Sequence, residues 1–236
     1  MANGITVAAL AFVSLSAAGP EAQPVAADLV RAMQKLYGEC QSYRDQGVVE
    51  VDYLNEDGSR RSGDRRPFST AFIRPDRFRF EFKDESGGYG DLYVIWADGQ
   101  AVRSWWTNRP QVESWPSIAD AVDAATGVSG GSAHLMASLL LPEVGGVGPA
   151  SLSDIRIVAD EVIGSRACWR LEGRGWLAFM SVSPMSIWIS KDAPHLLRVS
   201  YQFDIPGAKS RTTISLTPEI DVKLDPGSFT FTPPDK

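Results

Sequence analysis

This chain has almost no histidine and almost no cysteine: His134 and His195, Cys40 and Cys168 are the full complement among 236 residues. Neither histidine belongs to a metal-ligand motif, so a helix surface for His134 and a strand edge for His195 are the expected settings, with no metal and no cofactor. Basic clusters are missing too. Net charge is −6, and beyond Arg60-Arg61 and Arg65-Arg66, set among Gly, Ser and Asp at a hairpin tip, no cationic stripe exists to follow a nucleic acid. No Gly-x-Ser-x-Gly elbow, phosphate loop or dinucleotide fingerprint occurs. Gly127 to Gly131 is glycine-rich but lacks the lysine that would seat a phosphate. The acidic pairs Asp84-Glu85 and Asp160-Glu161 fall at strand ends, where solvation explains them better than glycoside chemistry. The absences exclude most catalytic classes.

Long hydrophobic runs are also scarce. The exception is residues 5–19, apolar and then small, which match the core and cleavage zone of an export signal despite a start without Lys or Arg. It is short for a membrane span. We therefore expect 1–23 to be a signal segment and 24–236 to be one domain in the periplasm or outside the cell. Two cysteines in an exported chain predict a disulfide between Cys40 and Cys168, closing a long loop and worth on the order of 4–5 kcal/mol.

What the chain does have is aromatic residues, ten Phe and seven Trp among them, and clean alternation. After Arg74-Pro75-Asp76, the rings of Phe78, Phe80 and Phe82 alternate with Arg77, Arg79, Glu81 and Lys83. That period puts rings on one face of a strand and charge on the other. Strand signals precede it at 47–54 and 66–74 and follow at 91–97 and 101–106, the last two joined by Asp98-Gly99. A helical period runs from Pro24 to Cys40 through Leu29, Met33, Leu36 and Tyr37. Ser117 with Asp120 caps a second helix, and Leu135, Met136, Leu139 and Leu140 mark a third that Pro142 stops. Strand signals resume at 154–163, 166–173, 184–190, 195–203 and 209–217. The expected class is α+β: a strongly curved antiparallel sheet, a half-barrel of about eleven strands. An N-terminal helix and a two-helix insert pack on its concave face.

Three segments carry a family resemblance: Phe72-Ile73-Arg74-Pro75-Asp76-Arg77-Phe78-Arg79, the hairpin Val94-Ile95-Trp96-Ala97-Asp98-Gly99-Gln100, and the terminal Phe229-Thr230-Phe231-Thr232-Pro233-Pro234. Together with the helix order they resemble the periplasmic lipoprotein carrier family, the LolA/LolB-like fold, over roughly residues 25–234. The aromatic-rich Ser104-Trp105-Trp106-Thr107 departs from it and marks a divergent branch. The resemblance implies a non-catalytic, monomeric carrier or binder of a lipid, a lipoprotein acyl chain or another apolar ligand in the cell envelope, with a lipid or lipidated protein as partner. The same fold also serves envelope sensors that signal through a protein partner; an envelope hydrolase is the rival of another class. On the carrier reading, Phe78, Phe80 and Phe82 floor a cavity, Trp105 and Trp106 contact the ligand where they flank the entry to the helical insert, and Leu135, Met136, Leu139 and Leu140 form its movable wall or lid.

Overall fold

The computed structural model describes residues 24–84, 91–145, 148–176, 182–205 and 208–234. The segment read as an export signal lies outside them. Helix α1 (Ala26–Glu39) leads into β1 (Ser42–Leu54), β2 (Arg60–Ile73), β3 (Arg77–Asp84), β4 (Asp91–Asp98), β5 (Val102–Trp106) and β6 (Arg109–Trp115). Helices α2 (Ile118–Ala125) and α3 (Ser132–Leu140) interrupt the strands. The chain then continues through β7 (Ser153–Ile163), β8 (Arg166–Trp176), β9 (Val182–Ser190), β10 (Leu196–Ile205), β11 (Ala208–Leu216) and the short β12 (Glu219–Ile220). The sheet order is β6-β5-β4-β3-β2-β1-β11-β10-β9-β8-β7, with β12 beside β1. Every pairing is antiparallel.

The sheet has twelve strands rather than about eleven. Two strands have no counterpart among the sequence signals: β12, only two residues long, and β6, which is exposed along nearly its whole length and so has no apolar alternation to read. Strands spaced about 4.8 Å apart would make eleven of them roughly 50 Å wide if flat, far wider than three short helices can cover. Yet one core joins residues of β1–β4 and β8–β11 to all three helices. The sheet must therefore curve around the helices. Helix α2 reaches β4, β5 and β6, α1 reaches β7, and both touch α3. The sheet stays open, because β6 and β7 do not pair.

Alternation assigns the faces correctly. Phe78, Phe80 and Phe82 are buried in the helix-side core, while Arg77, Arg79 and Glu81 are half-buried and Lys83 is exposed on the other side. That outer side is covered in one place. Arg79 donates to the carbonyls of Ser228 (2.9 Å) and Thr230 (2.6 Å), pinning the C-terminal segment across β3. Phe231 then lies against Trp96 and Trp105, at ring separations of 5.3 and 5.6 Å. Phe231→Ala should cost about 2 kcal/mol and uncover both indoles. A red-shifted tryptophan emission with a lowered melting temperature is the expected result.

The predicted disulfide is corrected. Cys40 and Cys168 are buried free thiols, donating to the carbonyls of Tyr37 and Arg166. Cys40 belongs to the helix-side core, whereas Cys168 packs with Trp188 and Leu197 on the opposite face. The sheet itself separates them, and burial raises both thiol pKa values. Native protein should be inert to a thiol reagent, and unfolding in guanidinium should release both thiols.

Candidate functional site

On the concave side, three neighbouring strands present an apolar floor. Alternation turns Val51 and Tyr53 of β1, Thr212 and Ile214 of β11, and Val199, Tyr201 and Phe203 of β10 the same way. Met185 of β9 extends it. Above them the helices do not close down, and a cavity of about 410 Å³ remains, within the range of small-molecule sites. Its roof is the turn from Thr126 to Gly131 with His134 and Leu135 of α3, and the exposed Trp176 stands at its rim. Gly130 and Gly131 both have positive φ, 60° and 84°, and the Tyr201 hydroxyl donates to the Gly130 carbonyl at 3.1 Å. A Cβ on Gly131 would stand 3.1 Å from that hydroxyl, so only glycine lets the roof sit this close to the floor.

Four polar side chains of the lining, His134, Arg66, Tyr53 and Tyr201, already hold partners. His134 is buried, not on a helix surface; its ring nitrogens lie 3.3 Å from Asp123 Oδ1, 3.4 Å from Thr126 Oγ1 and 3.3 Å from the Val144 carbonyl. Arg66 pairs with Asp64 at 3.0 Å, and Tyr53 donates to the same carboxylate at 3.0 Å. Burial, then the neighbouring Asp64, pushes the Tyr53 phenol up; burial does the same for Tyr201. Among the described residues no three His, Cys, Asp or Glu side chains converge on a metal-sized site. What the cavity offers is aliphatic and aromatic surface in a sheltered space.

Of the residues read from the sequence, Leu135 lines this cavity. Phe78, Phe80 and Phe82 lie elsewhere, in the closed core with Met136, Leu139 and Leu140. Every residue of α3 is buried, so the helix is a packed central element rather than a surface flap. Trp105 is on the outer face with Phe231, and Trp106 packs edge-on to Tyr93 at 6.2 Å. The floor on β10 and β11 was not foreseen, although Val199-x-Tyr201-x-Phe203 and Thr212-x-Ile214-x-Leu216 carry the required alternation.

The Arg-Pro motif has a structural role here. Arg74 donates to the carbonyls of Cys40 (2.9 Å), Tyr37 (3.3 Å) and Leu140 (3.1 Å). One guanidinium thus closes the C-terminal ends of α1 and α3 and ties both to the sheet. Arg74→Met should cost about 2 kcal/mol, read as a shifted urea midpoint, because these carbonyls lose a charged donor.

No family model matches the sequence, and no curated protein does. Among solved structures, the chain is similar to lipoprotein LppX of Mycobacterium tuberculosis (13% identity, 84% of this chain and 96% of that one, TM-score 0.48). It is also similar to a chain of the Pseudomonas aeruginosa MucA/MucB complex (14% identity, 88% of this chain and 61% of that one, TM-score 0.44). A third is a LolA superfamily protein from Nitrosomonas europaea (9% identity, 89% and 99%, TM-score 0.37). The likeness is one of fold alone.

Proposed function

We propose that this chain is an exported, non-catalytic carrier or binder of an apolar ligand, an acyl chain of a lipid or of a lipidated protein, in the cell envelope. The observation that supports it most is the cavity between floor and roof: its aliphatic walls remain available while Tyr53, Arg66 and Tyr201 of its lining each hold a polar partner. Burying about ten methylenes there is worth roughly 8 kcal/mol before ordering costs, enough for reversible binding. Helix α3 acts as a fixed wall through Leu135, and Met136, Leu139 and Leu140 hold that wall against the core.

Native mass spectrometry of protein purified without detergent tests the proposal. The expected result is an adduct in the mass range of one acyl lipid that organic extraction removes. Adduct-free protein that also takes up no added lipid would sink it.

A further inference from the structure

Strands β9 and β10 separate at a definite point. They pair from Leu196 and Ile189 as far as Tyr201 and Met185. Beyond that, β9 continues to Val182 against β8, and β10 continues to Ile205 against β11, but among the described residues no further pair joins the two. Pro184 sits on the β9 side of this seam and has no N–H to offer β10. The last pair, Met185 and Tyr201, walls two spaces at once: the inner cavity and an outer groove of about 710 Å³ on the convex side. A gap in the ladder therefore stands where inside and outside volumes meet.

The outer side of the seam is cationic. One row beyond the last pair, Arg174 lies opposite Pro184 and Arg211 opposite Gln202, so an arginine stands one strand back on either side. All four residues are exposed. Neither arginine is in an ion pair among the described residues, whereas Arg156 and Arg170 of the same groove are matched by Glu161 and Glu172. Asp154 is the groove's remaining carboxylate, leaving four arginines against three acids in a protein of net charge −6.

We infer that the seam is a second mouth of the cavity, and that the anionic end of an amphiphile, a phosphate or carboxylate joined to its acyl chain, lies there between Arg174 and Arg211. This rests on the acyl-chain reading and specifies which acyl compounds bind. Guanidinium groups suit both anions, and the chain behind the anion reaches the apolar floor through the gap.

The test uses the full chain, with displacement of a fluorescent fatty acid by oleate, an oleoyl lysophosphatidate, the neutral monoolein, and inorganic phosphate alone. In R174Q/R211Q the two anionic competitors should weaken about tenfold while monoolein is unchanged. R174E/R211E should prefer oleylamine to oleate. Both arginines are exposed, so circular dichroism and melting temperature should match wild type in either variant. Anionic and neutral competitors weakening equally, or neither weakening, overturns the headgroup site while the acyl-chain reading stands. Phosphate binding that R174Q/R211Q removes, with lipid affinities unchanged, assigns the groove to free anions and also overturns it. If wild-type protein takes up no lipid of either kind, the acyl-chain reading has failed and this inference falls with it.

Discussion

Thr212→Trp should weaken uptake of a fluorescent acyl chain at least about a hundredfold, because excluding even four methylenes forfeits about 3 kcal/mol. Thr212 is buried at the centre of the cavity floor, opposite Val51 on one side and Tyr201 on the other. An indole there projects into existing space, so overpacking should cost only on the order of 1 kcal/mol. A titration run beside a thermal melt separates the two effects: lost uptake with a nearly unchanged melt is the expected pair. Asp at Leu139 and Leu140 would be uninformative, since both leucines are sealed in the core and a carboxylate there would unfold the protein. Uptake that survives the tryptophan would move the ligand to another site.

Asp45→Asn should have the largest effect on stability, one that develops as pH rises from about 4 to about 7 and persists above it. The Asp45 carboxyl is buried on β1, with Oδ1 accepting from the Thr70 N–H at 2.8 Å and Oδ2 without a hydrogen-bond partner. Burial pushes its pKa up to about 7 from an ordinary 3.8, against the pull of the Thr70 N–H. The folded protein thus holds a proton that the unfolded chain has released. Stability from this group is complete below about pH 4, falls as pH rises toward about 7, and is flat above it. The loss is on the order of 4 kcal/mol. Asparagine cannot ionise, so its advantage over wild type should grow by several kcal/mol between pH 4.5 and 8 in urea unfolding. An advantage independent of pH would mean that the carboxyl titrates as if solvated.

The sequence carried faces better than neighbours. Strict alternation in β3 assigned Phe78, Phe80 and Phe82 to the core, and Ser117 caps α2 as its spacing with Asp120 predicts, accepting from the Asp120 N–H. Alternation cannot say which distant strands share a floor. The cavity exists because β1 pairs with β11, bringing Val51 opposite Thr212, a pairing set by the whole topology. Trp105 was misread for a related reason. Residues Tyr93 to Ala97 of β4 are buried on both faces, since the C-terminal segment covers the outer one, and a strand buried on both sides loses its period. The neighbouring indoles of β5 then carry no sign of which faces inward; the pairing of Trp105 with Val94 and Trp106 with Tyr93 decides it.

The central claim is that an acyl chain lies between the β1-β11-β10 floor and the roof beneath α3. Methyl NMR with a spin-labelled fatty acid tests it most directly, because the radical broadens only nearby signals. The methyl resonances of Leu135, Met185, Val199 and Ile214 should broaden at substoichiometric label and recover on competition with oleate. Those of Val112 on β6 and Val162 on β7, exposed on the two edge strands, should be broadened least. Uniform broadening, or broadening confined to the outer-face residues Val94 and Leu197, would contradict it.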